Sequence, residues 1–193
     1  MSFESFSTTN IDVPCRLTQL AGVATDKCIN LSDLDKPMDL SRSYLPREGG
    51  SWSGEAGEST WEPDDGNVPN RYNPENKTWG EIKAEFDIKG IDFDKGEPDF
   101  TGVAEAVVKI DDFTTERPIN FAQADEACAK QWTAEGKDEK SWSAADVRDY
   151  RQENKLSWHE RSDQMTLDLV PMVVHANIPH SGGISAAKNR GVS

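Results

Sequence analysis

The stretch Leu156-Ser157-Trp158-His159-Glu160-Arg161-Ser162-Asp163-Gln164-Met165-Thr166-Leu167-Asp168-Leu169-Val170-Pro171 decides the fold. Leu156–Glu160 and Thr166–Val170 both alternate, and Ser162-Asp163-Gln164 supplies turn residues between them, so the two runs predict a β-hairpin. Pro171 ends the second strand and starts a short helix bearing His175. His180 follows on the last turn of that helix or just after it, where Pro179 stops the helix before the flexible Ser181-Gly182-Gly183. Residues 156–183 therefore read as a ββα unit.

This unit carries every histidine of the chain: His159, His175 and His180. Clustered imidazole is what a metal site needs, because the neutral ring suits Zn, Ni, Fe and Mn alike. Glu160 adds a carboxylate beside the first histidine. Strict alternation sets His159 and Glu160 on opposite sides of a regular strand, so a bulge or twist would have to bring both to one ion. Each histidine also has a plain alternative. His159 can be a half-buried strand residue, His175 a surface helix residue, and His180 a helix C-terminal residue favoured by the dipole. Trp158 reads as packing rather than as a stacking surface for a base, and Asn177 as a local cap.

Upstream, Ser143 caps a helix through Glu153 that turns Val147 and Tyr150 inward and Arg148 and Arg151 elsewhere. Pro118 opens a longer helix to about Trp132, with Phe121, Ala124, Cys128 and Trp132 as its buried stripe. Val103–Ile110 reads as a strand, and Asp94-Lys95-Gly96 marks a turn within Ile91–Phe100. Thr78-Trp79-Gly80-Glu81 fits a capping box, which sets Trp79, Ile82 and Phe86 on one face of a short helix. Residues 45–77 are dense in Gly, Pro, Asn, Asp and Ser around Trp52 and Trp61. They read as an irregular wrap pinned to a core. Asn10–Leu20 and Ile29–Leu40 suit short helical turns limited by Pro14 and Pro37.

The 193 residues carry a net charge of −14, which argues against a phosphate-rich partner, since such binding rests on Lys and Arg. The charge is uneven, however. In residues 141–193 Arg148, Arg151, Lys155, Arg161, Lys188 and Arg190 balance Asp146, Asp149, Glu153, Glu160, Asp163 and Asp168, so the whole excess falls on residues 1–140. A divalent cation would tip the tail positive. Cys15, Cys28 and Cys128 lack CxxC spacing, which disfavours a disulfide framework or a cysteine zinc site. No apolar run is long enough to span a membrane, and Met1–Asn10 has no signal-peptide pattern. No membrane anchor is expected, and export would need another route.

The run Leu156–Glu160, followed by Thr166–Pro171, His175, His180 and Ser181-Gly182-Gly183, resembles the HNH/endonuclease VII superfamily. More narrowly it is similar to the branch named for its Trp-His-His or Trp-His-Glu signature, whose members commonly form the C-terminal warheads of bacterial polymorphic toxins. Asn73–Trp79 and Phe121–Asp125 look like the region that precedes such warheads. The resemblance implies phosphodiester cleavage, usually of DNA, with one divalent ion (Mg, Mn, Ni or Zn) clamping the scissile phosphate. It implies His159, His175 and His180 as ligands. By similarity to nuclease colicins, whose strand carries adjacent ligand and base residues, it puts Glu160 in the base position. In the rival registration His159 is the base and Glu160 binds or orients. Asp168 stands where the family often has Gln, which bears on substrate affinity.

The expected fold is α+β: a C-terminal ββα-metal (HNH) motif, core 156–183, supported by helices and a small antiparallel sheet. Residues 1–77 are expected as an irregular segment wrapping or leading into the enzyme, and 78–193 as the nuclease toxin domain. Arg148 and Arg151 are candidate substrate-binding residues. The implied partners are DNA, a cognate immunity protein and a secretion-system adaptor or carrier. The implied route runs from a bacterial cytoplasm into that of a target cell. Two other classes stay open: a non-catalytic, metal-stabilised binding module, and a metal-dependent hydrolase of a substrate other than nucleic acid.

Overall fold

In the computed structural model, residues 44–189 are described, and all of them lie within the unit Met38–Ser193. The helical turns expected at Asn10–Leu20 and Ile29–Leu40 lie outside the described residues. The chain runs through β1 (Gly50–Trp52), β2 (Thr60–Pro63), α1 (Trp79–Glu85), β3 (Ile91–Asp94), β4 (Glu97–Asp99) and β5 (Ala106–Lys109). It continues through α2 (Arg117–Glu135), α3 (Ala144–Glu153), β6 (Leu156–Glu160), β7 (Thr166–Pro171), α4 (Met172–His175) and α5 (Gly183–Asn189). Two antiparallel sheets result, ordered β1-β2-β3-β4 and β5-β7-β6. Helices and small antiparallel sheets together make the expected α+β fold.

The predicted hairpin is β6–β7, paired without interruption from Leu156↔Pro171 to Glu160↔Leu167. Central β7 is buried along its whole length, as a strand covered on both faces must be. Leu167 and Leu169 face one core with Ala124, Cys128 and Trp132 of α2, Val147 of α3, and Leu156 and Trp158 of β6. Val170 faces the other way, into a second core with Val174, Ile178, Phe100, Trp61, Ile82 and Phe93. The hairpin thus sits between two apolar layers. Its polar residues survive there because they are paired: the Arg161 guanidinium grips the fully buried Asp168 carboxylate through two bonds of 2.8 and 2.7 Å. Asp168 is therefore held by an ion pair inside the chain.

The helix starts follow their caps. Thr78 and Glu81 form the anticipated capping box on α1, and Ser143 with Asp146 forms another on α3. Pro118 stands in the first turn of α2, and Gly136 ends that helix in the left-handed conformation at φ 70°. On α2, Ala124, Cys128 and Trp132 are buried as expected, while Phe121 is only partly covered. Burial pushes the Cys128 thiol up to about 12, so this cysteine behaves as a small apolar residue.

Two departures concern segments read as loop. Residues 45–77 contain β1 and β2, short strands that extend the sheet of β3 and β4. Only three and four residues long, they lack room for a periodic pattern. Of Ser181-Gly182-Gly183, read as flexible, the last residue begins α5. There Gly183 packs so closely on the Arg161 carbonyl oxygen that any Cβ would collide with it.

Candidate metal centre

Three elements deliver the three histidines to one point. His159 comes from β6, His175 from the end of α4, and His180 from the segment just beyond, after Pro179. One ligand nitrogen of each ring lies within 4.8 Å of the others. The ring centroids form a nearly equilateral triangle with sides of 5.3, 4.9 and 5.0 Å. Nδ1 of His159 is 3.2 Å from Nε2 of His175. Two imidazole nitrogens on one tetrahedral zinc stand about 3.3 Å apart, given bonds of about 2.0–2.1 Å. The spacing therefore suits a shared cation.

The surroundings fix the rings. His180 Nδ1 donates to the Ile178 carbonyl at 2.7 Å, so its Nε2 keeps a lone pair, the arrangement typical of a metal-ligating imidazole. Phe100, fully buried, packs edge-on against all three rings at centroid distances of 4.9, 5.6 and 5.4 Å. It acts as a common floor. Nε2 of His159, the nitrogen that does not meet His175, is buried without a hydrogen-bond partner, which is a cost to the fold. The triad could bind a metal ion.

Electrostatics agree with this reading. Burial first, and then the two neighbouring rings, hold His159 well below its ordinary value. Burial, His180 and Arg117 push His175 down to about 3. Burial lowers His180 too, against the opposing bond to Ile178. All three lone pairs stay available at neutral pH, which metal binding requires.

The same shifts fix how stability depends on pH. Unfolded, these rings titrate near 6.5; folded, His175 titrates near 3. Above about pH 6.5 both states are neutral and no proton cost arises. As the pH falls through that value toward 3, the unfolded chain takes up protons first and stability is lost, at up to about 1.4 kcal/mol per pH unit for each ring that stays neutral. Metal-free protein is expected to melt at least about 4 °C lower at pH 5 than at pH 7.5. Circular dichroism melts in chelator would show it, and equal melting points would contradict the buried, neutral triad.

Glu160 faces the opposite side of β6. The register through His159↔Asp168 and Glu160↔Leu167 is consecutive, so no bulge brings the two side chains to one side. The N-terminal turn of α2 receives the carboxylate instead. Asn120 Nδ2 donates to Oε1 at 2.8 Å, and Arg117 Nε donates to Oε2 at 3.3 Å. The Arg117 charge also lowers all three imidazoles. Arg148 lies on the exposed face of α3, bonded to Asp149, whereas Arg151 is held by Asp125 through bonds of 2.9 and 3.1 Å. Both line an open groove with Arg117, Pro118 and Phe121.

A cleft of about 520 Å³ opens beside His175 and His180 and is lined also by Asn70, Arg71 and Asn177. Asn177 exchanges two hydrogen bonds with the Arg71 backbone, at 3.1 and 2.7 Å, and so ties residues 70–71 to the end of α4. Sequence reading missed Phe100, Arg117, Asn120 and Arg71. Asn120 had left one signal: an amide one turn before Ala124 and Cys128 of the apolar stripe.

A β-hairpin followed by a short helix brings three imidazoles together as a candidate metal centre. Residues 90–182, from the start of β3 to just beyond His180, match the family model described as the DNase/tRNase domain of colicin-like bacteriocin. The match covers 93 of the 193 residues and supports a nuclease toxin domain in this part of the chain. No curated protein matches the sequence. Among the described residues, no helix is long and apolar enough to cross a membrane.

Proposed function

We propose that the chain is a metal-dependent endonuclease effector of the Trp-His-Glu type, an antibacterial toxin that hydrolyses phosphodiester bonds of DNA. The observation that carries this reading is the convergence of His159, His175 and His180 within 4.8 Å, inside the segment that matches a nuclease toxin family. These three residues hold one divalent ion, Mg, Mn, Ni or Zn. When bound, such an ion supplies Lewis-acid stabilisation of the charge that develops on the phosphate and on the leaving oxygen.

The chain's own residues do the rest. Glu160, at the end of β6 and beside the exposed Arg117, accepts a proton at its carboxylate from an attacking water that reaches it past the strand end. Arg117, 63 % exposed, reaches the substrate phosphate. Arg148 contacts phosphates farther along the backbone, and Arg151, braced by Asp125, shapes the groove beside it. The division at residue 77 belongs to the same proposal: residues 78–193 form the toxin domain, and residues 1–77 wrap it or lead into it. A self-made nuclease would cut its producer's own DNA, so a cognate immunity protein is part of the reading. Delivery into a target cell, with or without an adaptor, is another part.

The test is cleavage of supercoiled plasmid and of transfer RNA by full-length protein, each with Mg, Mn, Ni or Zn and each with chelator. Nicking of the plasmid that chelator abolishes is the expected result. Cleavage of transfer RNA alone would correct the substrate. No cutting of either with any ion, by folded protein that retains metal, would contradict the nuclease. A metal-dependent hydrolase of another substrate is the reading that the net charge of −14 favours. Failure of DNA to compete in a metal-binding titration would then point to it.

A further inference from the structure

We propose that Asn120 is a positioning residue that anchors one oxygen of the Glu160 carboxylate and leaves the other to work. The proposal rests on the reading of Glu160 as the proton acceptor.

Asn120 lies in the first turn of α2 and is fully buried. A buried amide is costly unless every group is satisfied, and here every group is. Its Oδ1 accepts from the Thr114 backbone N–H at 2.8 Å and from the Thr114 hydroxyl at 3.1 Å. Its Nδ2 donates to the Thr114 carbonyl at 2.8 Å and to Glu160 Oε1 at 2.8 Å. A backbone N–H can only donate and a carbonyl can only accept, so Thr114 fixes which end of the amide faces Glu160. That end is a donor. The orientation is set from outside the site.

The consequence is an asymmetric carboxylate. Oε1 is held by the neutral amide of Asn120, which is fully buried. Among the described residues, Oε2 is bonded by Arg117 alone, whose side chain is largely exposed and bonds at 3.3 Å. When that arginine reaches a substrate phosphate, Oε2 becomes the oxygen free to take a proton, and Oε1 keeps the group from rotating. Pinning the 110–116 loop would explain the Thr114 bonds, but it does not require the bond to Glu160, 40 residues away.

Asn120→Asp, compared in wild-type and Glu160→Gln backgrounds, separates these roles. It keeps the size and the acceptor for the Thr114 N–H, and it removes the amide donor that faces both Glu160 and the Thr114 carbonyl. The expected result is a turnover number lower by about 10- to 100-fold, with KM and nickel or zinc affinity changed less than about threefold. Where the aspartate variant melts below the assay temperature, Asn120→Ala, which adds no charge, carries the same comparison. Thr114→Val removes the hydroxyl contact alone and is expected to keep at least about half of wild-type turnover. In a Glu160→Gln background, Asn120→Asp is expected to cause no further loss of turnover and to cost less melting temperature than in wild type, because donor and acceptor are then exchanged at residue 160 while the Thr114 carbonyl loses its donor in both backgrounds.

An Asn120→Asp enzyme of wild-type turnover, beside a Glu160→Gln enzyme that is inactive, would overturn the positioning role and leave the reading of Glu160 intact. Wild-type turnover in Glu160→Gln would overturn both. A loss in Thr114→Val equal to that in Asn120→Asp would reduce Asn120 to a loop anchor, and this too would overturn the proposal.

Discussion

Replacing His175 by alanine is expected to lower affinity for nickel or zinc by at least about 100-fold, beyond the 10- to 100-fold typical of losing a mere supporting residue. Cleavage should become undetectable. His175 is the middle member of the triad: its Nε2 is 3.2 Å from His159, and its ring centroid is 5.0 Å from that of His180. Two nitrogens remain after the substitution, too few for the three-ligand arrangement of catalytic sites. The fold should persist. His175 stands at the end of a four-residue helix, and removing a buried ring that resists protonation relieves a cost at low pH. The variant should therefore keep its circular dichroism spectrum and lose less stability than wild type between pH 7.5 and pH 5. A His175→Ala protein that still binds metal with wild-type affinity, or still cuts, would remove this residue from the centre.

The second large effect is expected at Glu160, and it has the opposite signature. Glu160→Gln should lower turnover by about 100- to 10,000-fold, the range for loss of a general base, while metal affinity changes less than about threefold. The glutamine is the sharper substitution, because its carbonyl oxygen still accepts the Asn120 donor. Alanine would leave that buried donor unsatisfied, at a cost of about 1–3 kcal/mol. The two registrations of the motif divide here. If His159 were the base and Glu160 only an orienting group, Glu160→Gln would retain most of its turnover. Measuring rate and metal affinity on the same preparation separates the two.

Much of this architecture was legible because the decisive signals were local. The hairpin followed from two alternating runs around Ser162-Asp163-Gln164, and Pro171 set the change from strand to helix. The starts of α1 and α3 followed from Thr78 with Glu81 and from Ser143 with Asp146, since a capping box is complete within four residues. The triad was legible because every histidine of the chain lies within 22 positions of the others, from His159 to His180.

What escaped depends on distance along the chain. Phe100 touches all three imidazoles, yet it lies 59 residues before the first of them. Asn120 meets Glu160 across 40 residues, and Asn177 binds Arg71 across 106. No periodicity encodes such pairings. Strands β1 and β2 escaped for another reason: three or four residues among glycines and serines carry too little alternation, and Trp61 becomes a core residue only once β3 lies beside it. The two faces of β6 show the same limit. Alternation correctly separated His159 from Glu160, but it could not show that α2 waits on the Glu160 side with an amide and an arginine.

The central claim is that three imidazoles hold one cation at a site built to cut a phosphodiester. Its most direct measurement is isothermal titration of nickel or zinc into the full-length, chelator-treated chain, repeated with His159, His175 and His180 each replaced. The account predicts one ion per chain for the wild type, and at least about 100-fold weaker binding in each variant. Absence of stoichiometric binding by folded wild-type protein, or binding unchanged when all three histidines are removed, would contradict it.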